Sequence, residues 1–185
     1  KAKNPSSILA GERGGLPPKG FELGNSPRDF SARNVKDRSV IITTTSGTQA
    51  INNASKASVA LMGSFLNLTA VARKALQIAV EKDVGLTVAM SGRLGSFSLE
   101  DFLCVGGIVS LWEGEGLEFS DSAYSSLFAY NTASDDLLKN VLRGSHAREL
   151  VDLGLEEDVA FCCELDRYDV VPVLKDGRII RLETD

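Results

Sequence analysis

Hydroxyl side chains directly follow a short β-branched segment in the first third of the chain. Residues 40–42 are Val-Ile-Ile, which favours a buried strand, and residues 43–48 are Thr-Thr-Thr-Ser-Gly-Thr. A helical pattern begins at Gln49, so this polar turn joins a strand to a helix N-terminus. Free backbone N–H groups, the helix dipole and hydroxyl donors make such a turn a candidate anion site.

The same turn also has a purely structural interpretation. It is not a Walker A loop, because that motif needs a lysine where Gln49 stands. A threonine-rich strand followed by a helix that Thr48 caps would produce the same residues. Taken alone, the turn favours this structural interpretation, and only the neighbouring loops shift the balance toward an anion site.

The first thirty residues carry the next candidates. They contain few apolar side chains and many glycines and prolines, which predicts a long loop, and long loops in compact domains are often functional. Glu12 and Arg13 lie side by side between glycines. They are a candidate metal ligand and anion clamp, or simply two solvated charges.

Three strand–turn–helix units position these residues. The sequence predicts strands at 39–45, 57–62 and 85–90 and helices at 48–54, 66–82 and 98–112. Short crossovers imply parallel strands with helices on both faces, so the expected fold is α/β, a three-layer α/β/α sandwich with a mainly parallel sheet. Ligands bind at the carboxyl ends of such strands. We therefore expect the turns 43–48, 63–67 and 91–96 to line one crevice.

Local signals divide the rest of the chain. Ser98 and Asp101 fit a capping box, which gives Asp101 a structural role. Further N-caps are predicted at Ser120, Ser134 and Ser145, each before a short helical pattern. Gly154 ends the last of these patterns. The apolar run predicts a strand at 158–163. Asp-Gly at 176–177 between two β-rich runs predicts a C-terminal β-hairpin over 170–182.

His146 is the only histidine and falls at the predicted helix start. It is either a general acid for a leaving group or a polar surface residue of that helix.

Composition limits the function classes. The chain has 185 residues, enough for one sizeable core or two tightly joined halves, and a mean hydropathy near zero. A net charge of −5 argues against nucleic acid as a partner, and the apolar runs are too short to span a membrane. Three cysteines and one histidine form neither a disulfide framework nor a zinc set. We expect a cytoplasmic protein with reduced thiols, with Cys104 in a helix and Cys162 and Cys163 in the core.

Seven stretches resemble the 2-phosphosulfolactate phosphatase family in order and spacing, over nearly the whole chain. They are residues 11–15 (Gly-Glu-Arg-Gly-Gly), 20–27 (Gly-Phe-Glu-Leu-Gly-Asn-Ser-Pro), 43–48, 63–67 (Gly-Ser-Phe-Leu-Asn), 97–101 (Phe-Ser-Leu-Glu-Asp), 145–146 and 169–172 (Asp-Val-Val-Pro). The resemblance implies a magnesium-dependent phosphomonoester hydrolase on an α/β/α fold. Its family reaction converts 2-phospho-3-sulfolactate to 3-sulfolactate and phosphate in coenzyme M biosynthesis.

Two departures from the family pattern stand out. Ser46 occupies a position where the family usually has asparagine, so one amide contact is either lost or replaced by a hydroxyl. Family members also carry an N-terminal strand with an aspartate and a following Arg-Ala-Thr stretch, whereas this sequence begins after it. We expect residues 1–185 to form a single phosphatase domain whose N-terminal strand precedes Lys1.

Chemistry and resemblance together assign roles to named residues. The expected catalytic residues are Glu12, Arg13, Asp101 and His146, and the expected ligands of Mg²⁺ are Glu12, Asp101 and Asp121. Mg²⁺ keeps several waters, so one or two of these carboxylates suffice. The expected substrate-binding residues are Asn25, Ser26, Thr44, Thr45, Ser46, Gly47, Thr48, Ser64, Asn67, Ser91, Gly92 and Arg93.

Nothing in the sequence marks a covalent phosphoenzyme, because the cysteines are expected to be buried and no Asp-x-Asp precedes the turn. Direct attack by metal-bound water is therefore favoured.

Alternatives remain open at the sequence level. The expected partner is a small anionic phosphoester, with no nucleic acid or membrane, and the chain is compatible with a homo-oligomer. One alternative is a family phosphatase acting on another small acidic phosphoester. A second, from another class, is a non-catalytic protein that binds phosphorylated metabolites through the same turns.

Overall fold

The computed structural model describes residues 6–183, apart from the side chains of residues 32 and 33. These residues form a mixed α/β structure. In chain order its elements are β1 (Ile8–Gly11), α1 (Ala32–Val35), β2 (Val40–Thr43), α2 (Gly47–Ala54), α3 (Leu68–Lys82), α4 (Leu99–Ser110), α5 (Asp121–Ala133), α6 (Leu137–Val141), α7 (Ser145–Asp152), α8 (Glu156–Cys162), β3 (Pro172–Lys175) and β4 (Arg178–Arg181), with 3-10 turns at Pro27–Asp29, Phe65–Asn67 and Ser134–Asp136.

A parallel pair of strands carries the first two loops of interest. β1 pairs with β2 in a register that places Gly11 opposite Thr43. Gly11 has φ +143°, and a Cβ there would lie 1.9 Å from the Thr43 carbonyl oxygen, so only glycine allows this approach. The predicted strand 39–45 and helix 48–54 are confirmed, whereas β1 lies inside the expected loop because its apolar run is too short to show a period.

The parallel sheet is smaller and more exposed than expected. Ile41 and Ile42 on β2 are 44% and 41% exposed, so the prediction that this strand is buried is wrong. The segment 57–62 contributes only an antiparallel bridge between Leu61 and Val173, and no strand is found at 85–90. The described residues form one parallel and one antiparallel two-stranded sheet. The α/β class is therefore confirmed, but the three-layer sandwich with a mainly parallel sheet is not.

The predicted strand at 158–163 is a second error, since those residues lie in α8 and at its end. A short apolar run does not distinguish strand from helix. The acidic first turn of α8, formed by Glu156, Glu157 and Asp158, favours a helix because its charges complement the helix dipole. The C-terminal hairpin is confirmed by the antiparallel pairing of β3 with β4.

The core lies among the helices. Side chains of α3, α4 and α5 form most of a buried apolar cluster with Trp112, whose indole N–H donates to the Ala72 carbonyl at 2.9 Å. α4 and α5 pack closely at Gly106, where a Cβ would lie 2.0 Å from the Ser126 carbonyl oxygen. None of the described helices is long and apolar enough to cross a membrane.

Gly106→Ala is expected to lower the free energy of unfolding by about 1–3 kcal/mol, because the added methyl group forces α4 and α5 apart. A urea titration followed by circular dichroism measures the loss. Gly85→Ala is the control, since a Cβ at Gly85 meets no atom within 4 Å. An unchanged midpoint for Gly106→Ala would contradict the close packing of these two helices.

Hydrogen bonds confirm two of the predicted helix caps. Ser98 accepts from the Asp101 N–H at 3.3 Å, and Ser120 accepts from the Ala123 N–H at 3.3 Å. Ser134 instead opens a 3-10 turn, and Ser145 is the first residue of α7 rather than its cap. Gly154 ends α7 with φ +76°, as expected of a glycine after a helix.

Candidate active site

The polar turn 43–48 ends β2 and starts α2. The N-cap of α2 is Ser46, so Thr48 does not cap this helix. The Thr44 hydroxyl accepts from the Thr48 N–H at 3.0 Å, and Thr48 donates its own hydroxyl to the Thr44 carbonyl at 3.3 Å. Among the described residues, no group accepts a hydrogen bond from the N–H of Ser46 or Gly47. These two donors lie at the positive end of the α2 dipole and are available to an anion.

Glu12 connects this turn to the loop that follows β1. Its N–H donates to the Thr43 carbonyl at 3.1 Å. Its carboxylate accepts from the Thr45 N–H at 2.5 Å through Oε1 and from the Gly15 N–H at 3.2 Å through Oε2. One side chain therefore fixes the positions of two loops at the carboxyl end of the parallel strand pair.

The environment keeps Glu12 ionised. Partial burial alone would raise the pKa of the Glu12 carboxyl, but hydrogen bonds from Thr45 and Gly15 and the positive charge of Arg13 outweigh it and lower the pKa below its ordinary value of 4.5. A lowered carboxyl pKa stabilises the folded loops above the unfolded value, and this stabilisation is lost as the pH falls through the folded value. Glu12 is therefore an anion at neutral pH.

Arg13 follows Glu12, and its guanidinium donates hydrogen bonds to two uncharged acceptors. Nη1 donates to the Glu12 carbonyl at 2.7 Å, and Nη2 donates to the Thr43 hydroxyl at 2.8 Å. Arg13 forms no ion pair with any acidic residue in the described part of the chain. An exposed guanidinium that is oriented without a partner carboxylate is well suited to pair with a substrate anion.

The turn 91–96 contacts the turn 43–48. The Ser46 hydroxyl accepts from the Leu94 N–H at 3.1 Å, which confirms that the turns 43–48 and 91–96 meet. The turn 63–67 is different: Asn67 donates to the Met62 and Val170 carbonyls at 3.2 and 3.0 Å. Within residues 6–183, no hydrogen bond joins it to either of the other two turns.

Ser64 and Asn67, both proposed from sequence as substrate contacts, form a capping box at a 3-10 turn. The Asn67 carboxamide oxygen accepts from the Ser64 N–H at 2.9 Å and from its hydroxyl at 3.0 Å. Asn67 is buried, so its observed contacts are structural.

Asp101 connects α4 to the turn 91–96. The expected capping box is only half present: Ser98 caps the Asp101 N–H, but the Asp101 carboxylate accepts from the Gly92 N–H at 2.7 Å instead of returning to Ser98. Gly92 has φ +64°, and a Cβ there would lie 2.7 Å from the Ser96 carbonyl oxygen. Asp101 thus holds the base of a tight turn that carries Arg93.

Asp101→Ala is expected to lower stability by about 1.5–3 kcal/mol, because the Gly92 N–H loses a charged acceptor. It should also raise KM for a substrate that contacts Arg93, since the turn is no longer held at its base. Asp101→Asn is the matched variant that keeps an acceptor oxygen. Thermal unfolding and steady-state kinetics on both variants measure the two effects, and an unaltered KM in Asp101→Ala would show that the turn does not depend on this carboxylate.

Arg93 is paired with a residue that sequence patterns did not single out. Its Nη1 donates to Glu149 Oε1 of α7 at 2.8 Å, and its Nη2 contacts Oε2. Glu149 is separated from Arg93 by 56 residues. Only its spacing from His146, three residues along a predicted helix, could have drawn attention to it.

His146 is half-buried, and its Nδ1 has no hydrogen-bond partner among the described residues.

Three other predicted residues lie outside this group of contacts. Asn25 is exposed, and the Ser26 hydroxyl donates to the Asp158 carboxylate of α8 at 2.8 Å. Asp121 is an exposed residue in the first turn of α5. No three histidine, cysteine, aspartate or glutamate side chains in the described ranges come together as a metal-binding group. Glu12, Asp101 and Asp121 therefore do not form a joint three-carboxylate metal cluster.

The pKa values of all three cysteine thiols are raised, to about 12 for Cys104 and about 11 for Cys162 and Cys163, so none is a thiolate nucleophile at neutral pH. Cys104 packs against the core, and burial raises the pKa of its thiol. Cys162 is exposed at the end of α8, which corrects the expectation that it is a core residue of a strand. Cys163 follows it at the helix end and is half-buried.

Fold and site together define an α/β protein with unpartnered N–H donors in a polar turn at the carboxyl end of a parallel strand pair. A family model described as 2-phosphosulpholactate phosphatase matches residues 1–177, and the chain belongs to that family. This confirms the resemblance found in the sequence motifs.

Similar proteins carry the same name. The chain is 37% identical over 166 residues to a "Probable 2-phosphosulfolactate phosphatase" of Clostridium novyi, covering 89% of this chain and 68% of the relative. It is 35% identical over 182 residues to one of Clostridium acetobutylicum, covering 97% and 75%. A relative from Pseudothermotoga lettingae is 37% identical over 183 residues, covering 98% and 76%.

Proposed function

We propose that this protein is a phosphatase that hydrolyses 2-phospho-3-sulfolactate to 3-sulfolactate and phosphate, a step toward coenzyme M. Membership of the 2-phosphosulpholactate phosphatase family and the names of its relatives support the reaction. The observation that carries the proposal is the turn 43–48, in which the N–H groups of Ser46 and Gly47 have no partner among the described residues. Glu12 accepts from the Thr45 N–H of this turn, and Arg13 donates to its Thr43 hydroxyl.

The turn 43–48 is the proposed phosphoryl site. Phosphate monoesters react slowly because a dianion repels nucleophiles, so catalysis depends mainly on positioning and charge neutralisation. The N–H groups of Ser46 and Gly47 and the guanidinium of Arg13 would donate to the phosphoryl oxygens. The protein has a net charge of −5, so these local donors are the means by which it attracts an anion.

Mg²⁺ is the proposed cofactor, and Glu12 is the residue that would hold it. Each Glu12 carboxylate oxygen accepts one backbone N–H, which leaves a further lone pair on each oxygen. An ionised carboxylate beside a phosphoryl site suits a hard cation that takes its remaining ligands from water and phosphate. When bound, the ion would neutralise negative charge on the phosphoryl group.

The leaving group must receive a proton once the P–O bond breaks. His146 is the candidate donor, because it lies three residues before Glu149 on α7 and Glu149 contacts the site through Arg93. Attack by water is proposed over a covalent phosphoenzyme, in line with the buried thiol of Cys104.

Phosphate release from 2-phospho-3-sulfolactate, with and without Mg²⁺, tests this function against a non-catalytic alternative. A phosphatase releases phosphate in proportion to enzyme and time, and chelation of Mg²⁺ stops it. Isothermal titration run beside the assay identifies a binding protein, which would keep its affinity for the phosphoester and never release phosphate. That second outcome would overturn the proposal.

A further inference from the structure

Two arginines begin tight turns of the same design beside the start of α2. Arg13 bridges to Leu16 across two residues with positive φ, and Arg93 bridges to Ser96 in the same way. Turns of this kind, with both central residues in the left-handed region, are type I′ hairpin turns. The Glu12 bond to Thr45 attaches the first turn to the polar turn 43–48, as the Leu94 bond to Ser46 attaches the second.

The two guanidinium groups differ in their partners. Arg13 is held by a carbonyl and a hydroxyl, which leave its positive charge without a paired anion in the described part of the chain. Arg93 presents both Nη atoms to the two carboxylate oxygens of Glu149. The Nη1–Nη2 edge of Arg93, which can bind an anion through two parallel hydrogen bonds, is therefore occupied by Glu149.

The ion pair between Arg93 and Glu149 is open to solvent. The side chain of Arg93 is 37% exposed and that of Glu149 is 47% exposed. Exposed pairs of this kind contribute little stability, because water and salt screen both charges. A second anion that reached Arg93 could replace Glu149, whose carboxylate would return to water.

We propose that Glu149 is a resident counter-ion of Arg93 and that the sulfonate group of the substrate displaces it on binding. This inference rests on the proposed function, which requires a second anion site in addition to the phosphoryl site. Glu149 then lowers the affinity for the sulfonated substrate: it neutralises Arg93 in the free enzyme, and the sulfonate must displace it in order to bind.

Glu149→Gln tests the exchange. Removing the competing charge should lower KM for 2-phospho-3-sulfolactate by roughly two- to fivefold, which is the range expected for an exposed ion pair, and leave kcat unaltered. KM for 2-phospholactate, which lacks the sulfonate, should not change. Glu157→Gln is the matched control, because it removes the same charge from a glutamate that also pairs with an exposed arginine, Arg28.

Two results would overturn the exchange. A higher KM for both substrates in Glu149→Gln would mean that Glu149 positions Arg93 instead of competing for it, and an equal fall in Glu157→Gln would mean a long-range charge effect. Glu149→Ala provides a second variant if the first does not fold.

Titration of 3-sulfolactate by calorimetry separates this inference from the proposed function. If the wild type releases no phosphate, the proposed function fails, but tighter binding of 3-sulfolactate to Glu149→Gln would still support the displaced counter-ion. Unchanged binding in that titration, despite normal wild-type turnover, would overturn the inference alone.

Discussion

Glu12→Gln is expected to lower kcat/KM by about 100-fold, the upper range for changes that disturb metal binding, while the fold stays intact. The Glu12 carboxylate accepts from both Thr45 and Gly15, whereas a carboxamide has one acceptor oxygen and must turn its NH₂ group toward one of these donors. The variant also loses the negative charge proposed to hold Mg²⁺. Steady-state phosphate release across a range of Mg²⁺ concentrations measures both losses.

Glu113→Gln is the control for this experiment, because Glu113 is exposed beyond the end of α4 and carries the same charge. It should behave as wild type. A wild-type rate for Glu12→Gln at low Mg²⁺ would remove Glu12 from the site. If high Mg²⁺ fully restores the rate of phosphate release in Glu12→Gln, Glu12 acts mainly by binding the metal. If the rate stays low at high Mg²⁺, Glu12 acts mainly by holding the turn 43–48.

The enzyme is expected to cleave 2-phospholactate about 10- to 100-fold less efficiently than 2-phospho-3-sulfolactate, since a hydrogen-bonded charged contact contributes about 1.5–3 kcal/mol. Arg93 is the proposed partner of the missing sulfonate. Arg93→Gln should therefore reduce the ratio of the two kcat/KM values, mainly by lowering kcat/KM for 2-phospho-3-sulfolactate. kcat/KM for both substrates, measured on wild type and variant at one ionic strength, gives the comparison.

Arg28→Gln is the matched control, because Arg28 is an exposed arginine paired with Glu157 near α8. It should leave the ratio of the two efficiencies unchanged. Equal efficiencies for the two substrates on the wild type would mean that no sulfonate subsite exists, and the sulfonated substrate would then have to be withdrawn for this protein.

Local patterns were sufficient where one short stretch determines its own structure. The strand–turn–helix at 39–54, the cap at Ser98 and the hairpin at 176–177 depend on neighbours in sequence, and each is present. The segments 57–62 and 85–90 have strand-like sequences, but strands need partners, and pairing is not encoded locally. Residues 158–163 were predicted as a strand from their apolar run, but they lie in α8 and at its end. The acidic first turn of α8 favours the helix.

The site was predictable in its residue types and not in its contacts. Glu12 and Arg13 were recognisable from their place between glycines and from the resemblance, but nothing local indicated that Glu12 would bind the Thr45 N–H 33 residues away. Asp101 matched a capping pattern, yet its carboxylate holds the Gly92 N–H. Glu149 carried no signal of its own, because its meeting with Arg93 depends on how α7 packs beside a loop.

The proposed function depends above all on binding of the phosphoryl group by the turn 43–48. A crystal structure of the protein with Mg²⁺, 3-sulfolactate and phosphate tests it most directly. We expect phosphate oxygens within hydrogen-bonding distance of the Ser46 and Gly47 N–H groups and of the Arg13 guanidinium. Phosphate ordered at another site, with the turn left empty at saturating concentration, would contradict it.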